Sequence, residues 1–286
     1  MNTLTMSQAP TPARAPQRAV HATSPFAGVM RAEWIKLLSL RSTWWTLGLT
    51  VAVMTLFALG QAMSLDFMAQ DAATAPALDA IHGAEIVSGG YQIGMITIAV
   101  LGALLVTGEY STGMIRSTLA AVPTRTPVLA AKAIAVATVT AVVAALGIAL
   151  SYIVTMPLLA GHDMVPALDE GRTWQVFGGT VYFLIAAALF SLGVGTLLRS
   201  SAGAITVALT VLLLLPTFLV FVTLDWVETA VEYLPLPASG AFLGGGEDSL
   251  SAVGDGLAPA TGLLVVAAYA VVPLVAGAVV LRRRDA

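Results

Sequence analysis

The sequence predicts an all-α polytopic membrane protein with six transmembrane helices, and three observations carry that reading. First, Lys and Arg number 13 and Asp and Glu 16 among 286 residues, so 10% of the chain is charged, against roughly 25% in a soluble domain. Apolar residues make up 58% and the mean hydropathy is +0.89, too little polarity to cover a water-facing surface. Second, the charges are spaced so that six charge-free runs of 23 to 30 residues lie between Arg41 and Asp66, Glu85 and Glu109, Lys132 and Asp163, Arg172 and Arg199, Arg199 and Asp225, and Asp255 and Arg282. A span needs about 20 apolar residues, and a charge at its centre is costly. Third, with six spans, twelve of the 13 basic residues fall on one side, leaving Arg172 alone on the other. The positive-inside rule makes the rich side cytoplasmic, which predicts a multi-pass protein of the cell membrane with both termini in the cytoplasm.

The elements follow in order. Residues 1–25, rich in Ala, Pro, Thr, Ser and Gln, read as a disordered tail without the apolar core of a signal peptide. Residues 26–41 place Met30, Trp34, Leu37 and Leu38 near one helical face and Arg31, Lys36 and Ser39 on the other, the pattern of an amphipathic helix in the headgroup layer. A plain basic approach to the first span is the competing reading. The transmembrane domain takes residues 42–286, with span cores at about 44–63, 91–107, 134–158, 176–198, 202–224 and 263–281. A β-barrel would show alternating segments of about ten residues, whereas the run around Leu212 to Val220 is apolar on every face. Pro157, Pro216 and Pro273 predict local kinks, tolerated where neighbours satisfy the freed carbonyls.

Two connections stand out. Between Gly108 and Lys132, Ser111 or Thr112 is placed to cap a short helix reaching about Ala121, with Pro123 to stop it; a simple turn whose basic residues only enforce topology is the alternative. In the last outer loop, from Asp225 to Asp255, Val227, Val231 and Leu234 share a helical face before Pro and Gly intervene, consistent with a re-entrant helical pair or with an ordinary acidic loop. Small residues recur at four-residue spacing in Gly90 and Gly94 and in Ala187, Ser191 and Gly195, a pattern that lets helices approach closely.

Much chemistry is excluded. With no cysteine and three scattered histidines, the chain carries no disulfide framework and no zinc spacing; His82 and Glu85 read as a solvated polar turn. A net charge of −3 is unlike that of a nucleic-acid binder. No span has an ionisable residue at its centre, since Glu109 and Lys132 sit at ends, which disfavours a proton relay. Neither a phosphate-binding loop nor a nucleophile motif is present, so the chain reads as a non-enzyme that binds no cofactor.

The blocks MRAEWIKLLSLRSTWWTL (30–47), LGALLVTGEYSTGMIRSTLAAVPTRTPVLAAK (101–132) and YLPLPASGAF (233–242) resemble permease subunits of ATP-binding-cassette transporters of the type-2 export family. The resemblance covers nearly the whole chain after residue 26 and is most specific in Gly108, Glu109, Tyr110, Gly113, Arg116, Pro123, Arg125 and Lys132. It implies a permease that pairs with a second copy, identical or related, and takes ATP and magnesium only through a separate cytoplasmic ATPase. By the same resemblance Arg31, Glu33, Trp34 and Lys36 belong to an interface helix. Glu109, Ser111, Gly113, Met114, Ile115, Arg116 and Arg125 belong to the region that couples to the ATPase, with Glu109 facing a basic residue of the interface helix or of the partner. Tyr233, Pro235 and Pro237 belong to an external hairpin. The leader before Phe26 is extra to that pattern. A stand-alone passive or ion-coupled carrier, and a non-transporting scaffold, are the competing functions; membrane lipids are the remaining expected partner.

Overall fold

A computed structural model describes residues 26–71, 78, 81–121, 125–244 and 257–283. The expected tail at 1–25 and the stop at Pro123 lie outside the described residues. Among the described residues there is no strand, and six helices are long and apolar enough to cross a membrane.

Helix α1 (Phe26–Ser39) leads, and Leu40, in extended conformation, separates it from α2 (Arg41–Gln70), the first crossing. A short α3 (Gly83–Ser88), capped where His82 Nδ1 accepts the Ala84 N–H at 3.2 Å, precedes the second crossing α4 (Tyr91–Ser111). After α5 (Met114–Ala121) comes α6 (Thr126–Ala160), started by Pro127 in its first turn, where a missing N–H costs nothing. The fourth crossing is α7 (Gly171–Leu198). The fifth is composite: α8 (Ser201–Leu209), a π-helical turn over Thr210–Leu214 and α9 (Leu215–Leu219). The wide turn directly precedes Pro216, whose absent N–H would otherwise leave a gap in the regular ladder. Two short helices, α10 (Asp225–Glu232) and α11 (Pro235–Leu243), lead to the sixth crossing α12 (Pro259–Arg283). Helices α6 and α12 run through Pro157 and Pro273 without interruption.

Helix α7 is the hub, packed against α4, α6 and α12 and the most buried of the six crossings. Its Phe183, Leu184 and Leu192 join Met54, Met95 and Ile98 in the core. The approach is close where side chains are smallest: a Cβ added at Gly195 would sit 2.8 Å from Val106 Cγ1 of α4, and one at Gly193 would sit 2.6 Å from the Pro273 carbonyl carbon of α12. Gly90 and Gly94 likewise face Met54 of α2. The four-residue small motifs therefore serve contacts within the bundle. The fifth and sixth crossings expose the most apolar surface, including Phe218, Val271 and Val275.

Candidate functional site

One end of the bundle gathers four charges from three distant stretches. Glu33 and Lys36, one turn apart on α1, face Glu109 in the last turn of α4 and Lys132 in the second turn of α6. Lys132 Nζ donates to Glu33 Oε2 at 2.6 Å and to Glu109 Oε1 at 2.7 Å. Lys36 Nζ donates to Glu33 Oε1 and Glu109 Oε1, both at 2.9 Å, and reaches Thr118 Oγ1 of α5 at 3.3 Å. Glu33 and Lys132 are each 2% exposed and Glu109 5%. Two acids and two bases cancel, and each acid accepts from both lysines, which offsets the cost of burying them; Glu109 Oε2 alone of the four carboxylate oxygens is buried without a partner. Burial alone would lower the pKa of Lys36, but its hydrogen bonds and its attraction to Glu33 and Glu109 outweigh that and raise it. The stability this lends is complete below the ordinary lysine range and is lost only as pH climbs through the raised value, so Lys36 itself does not titrate near neutrality.

The α1 face differs from the sequence expectation. Its buried stripe is Val29, Glu33 and Leu37, and Lys36, expected on the polar side, turns inward to the cluster. Four-residue spacing selects these positions, and the two opposite charges opposite Glu33 make its burial affordable. Arg31 is exposed, while Trp34 is half-buried beside the cluster.

The connection after α4 also starts later than expected. Ser111 Oγ and Thr112 Oγ1 both donate back to the Gly108 carbonyl at 2.9 Å, finishing α4 instead of capping a new helix. Gly113, at φ +72, makes the reversal, and α5 begins at Met114. Ile115 is buried, Met114 and Ser117 are exposed, and Arg116 lies within α5. Replacing Gly113 with valine forces a side chain into the left-handed region at a cost of about 1–2 kcal/mol; a lower midpoint in thermal unfolding of the purified protein is the expected result.

Other contacts complete this end. Arg125 Nη1 donates to the Leu281 carbonyl at 3.0 Å, joining the start of α6 to the end of α12. Arg199, in left-handed conformation after α7, lies over the Tyr110 ring at 5.3 Å, and Ser201 Oγ donates to Thr107 Oγ1 at 2.9 Å.

At the opposite end, α10 packs on the end of the fifth crossing, and α11 packs against α7 and α12. Val227, Val231 and Leu234 form a buried cluster with Leu219 and Val222. Tyr233 is half exposed, whereas Pro235 and Pro237 are buried in α11. Tyr91 and Ser239 hydroxyls meet at 3.3 Å, and Gln175 Nε2 donates to the Phe242 carbonyl at 3.1 Å, tying α11 to α4 and α7. Arg172, isolated by charge counting, pairs with Glu85 at 2.8 Å and also donates to the Gly244 carbonyl; His82 faces Glu170 at 3.0 Å. His82 and Glu85 thus turn to different partners. Four hydroxyls along the bundle differ in their surroundings. Thr97 meets Thr50 at 2.7 Å, Tyr152 donates to the Pro166 carbonyl at 3.2 Å and Ser151 is fully buried, while Thr206 is exposed on α8.

A search of curated proteins finds no match. The family model described as "ABC-2 family transporter protein" matches residues 29–286, a stretch that opens on the buried face of α1 and contains the whole ionic cluster, α5, the α10–α11 pair and all six crossings. The protein belongs to the ABC-2 transporter family, and is a multi-pass membrane permease subunit of an ATP-binding-cassette transporter.

Proposed function

We propose that this permease subunit is half of an exporter. Two permease chains, identical or related, enclose the pathway, and a separate cytoplasmic ATPase carrying ATP and magnesium drives it through α5. The end bearing the ionic cluster and most of the basic residues faces the cytoplasm. The observation that carries the reading is Lys36, one side chain within hydrogen-bonding distance of α1, α4 and α5 together.

Helix α5 is a separate, partly exposed segment hinged at Gly113, with Met114 and Ser117 available to a docked protein and Ile115 seated inward. Closure of an ATPase pressing on α5 passes through Thr118 to Lys36, and from Lys36 to Glu109 on the second crossing and, through Glu33, to Lys132 on the third. Arg125 spreads the same load to the sixth crossing through Leu281. The α10–α11 pair forms an outer re-entrant hairpin tethered to α4 and α7, so movement of those helices opens or closes the far end.

The test is co-expression with the ATPase encoded beside this chain, followed by measurement of ATPase retention, nucleotide hydrolysis and export. Thr118→Val removes one hydrogen bond from a charged donor, a loss of about 1.5–3 kcal/mol. Export per ATP hydrolysed is expected to fall at least about tenfold, with the ATPase still bound. Full export by T118V, or failure of every candidate ATPase to co-purify, overturns the reading. Orientation is tested separately, because the chain has no cysteine. Ser117→Cys is expected to react with a membrane-impermeant maleimide only from the cytoplasm, and Thr229→Cys only from outside; the reverse labelling inverts the topology.

A further inference from the structure

Beside the ionic cluster, on the lateral surface of the bundle, α1, α2 and α6 frame a groove of about 380 Å³ lined by Trp34, Leu38, Trp44, Gly48, Val142, Leu146 and adjoining apolar residues. None of the lining side chains carries a charge; of the two tryptophans that bring an indole N–H, Trp44 donates its own to the Leu38 carbonyl at 2.8 Å. The floor is open because position 48 is glycine: a Cβ there would meet nothing within 4 Å. What fills this groove must be apolar along its length.

Its volume is too small to enclose a helix. A helix with side chains is about 10–12 Å across, so a cylinder of that width holding this volume is only about 5 Å long, less than one turn. A single hydrocarbon chain is slim enough to lie along it.

The mouth has its own chemistry. On α2 the lining stripe of Trp44, Gly48 and Val51 extends one turn back to Arg41, and on α1 the stripe of Trp34 and Leu38 extends one turn back to Arg31, both arginines being exposed. Neither has an ion-pair partner among the described residues. Arg41 also opens α2, a helix of 30 residues with no side-chain cap and no acidic residue in its first turn. Uncapped N–H groups and a positive helix end attract an anion.

We propose that this groove binds one acyl chain of an anionic phospholipid, with the phosphate held between Arg31, Arg41 and the first turn of α2. The site is independent of any ATPase. It seats α1 on a lipid of its own leaflet, directly beside the side chains Glu33 and Lys36 that α1 contributes to the ionic cluster.

The test uses the full chain in detergent, supplied with phosphatidylglycerol or phosphatidylcholine of matched acyl chains and examined by native mass spectrometry, and in parallel with a phosphatidylglycerol bearing a diazirine on its acyl chain. One phosphatidylglycerol retained per chain in preference to phosphatidylcholine, with crosslinks to the stretch from Val139 to Leu146, is the expected result. The double variant R31Q/R41Q should lose at least about tenfold of that preference. Gly48→Leu should abolish the crosslink by filling the groove. Should Gly48→Leu fail to fold, the arginine variant still decides. Equal retention of the two lipids, crosslinks confined to other crossings, or a disulfide between two copies of Gly48→Cys, which would place a second permease over the groove, each overturns the proposal.

Discussion

Replacing Lys132 with methionine is expected to cost about 3–5 kcal/mol and to lower the midpoint of thermal unfolding in detergent by roughly 10 °C. Methionine matches the lysine stem in length but leaves Glu33 and Glu109, both nearly inaccessible, facing each other with only Lys36 between them. The penalty comes from the stranded carboxylate charge, not from lost packing. A second substitution checks that cause: adding Glu33→Gln restores neutrality and should recover part of the loss, although neither change restores the original hydrogen bonds. Unfolding of K132M within 2 °C of the wild type, a margin well below the roughly 10 °C expected, would show that the carboxylates find water or protons more easily than their burial implies.

The next largest effect is expected at Gly193. Valine there brings a Cβ to 2.6 Å from the Pro273 carbonyl carbon and 2.7 Å from the Leu274 nitrogen. These are backbone atoms, and the proline ring stiffens the segment that would have to yield. Helix α12 must move off α7, an overpacking cost of about 1–3 kcal/mol added to a gap along the most buried crossing. Gly193→Val should therefore unfold at lower temperature, while Gly178→Val on the same helix, where an added Cβ meets nothing within 4 Å, serves as the control. Equal behaviour of the two variants would refute the close packing of α7 on α12.

How much of this was legible depends on which physical effect left a mark in the chain. Hydrocarbon punishes charge wherever it lies, so the intervals from Arg41 to Asp66 and onward located all six crossings without any knowledge of packing. The same bookkeeping placed Glu109 and Lys132 at span ends and Glu33 and Lys36 one turn apart. It could not join Glu33 to Lys132, which are 99 positions apart; only the family resemblance set Glu109 against a basic residue of the interface helix, and Lys36 meets it at 2.9 Å. The amphipathic reading of α1 misplaces Lys36 for the same reason: a charge is assigned to water until its counter-charge is found. Ser111 was a reasonable cap by residue type, yet the helix before it ran on and used that hydroxyl itself, so that Gly113 makes the break. Gly195 was visible through its four-residue rhythm. Gly193, two residues away and facing a different helix, was not, since a single glycine has no rhythm. The valine stripe of α10 was readable because Val227, Val231 and Leu234 recur at helical spacing within one segment.

The crossings are also unequal in length. Helix α6 has 35 residues, a rod of about 52 Å, whereas the fifth crossing from Ser201 to Leu219 has 19, about 28 Å against a hydrocarbon layer about 30 Å thick. The long rod tolerates bilayers of any ordinary thickness. The short one has no slack: one end is held at Arg199 over Tyr110, and the other runs through residues 220–224 into α10. A thicker membrane therefore loads the fifth crossing first and pulls on the α10–α11 pair through that short tether. Bilayer thickness thus becomes a mechanical input to the far end of the molecule, delivered along a path that bypasses the ionic cluster.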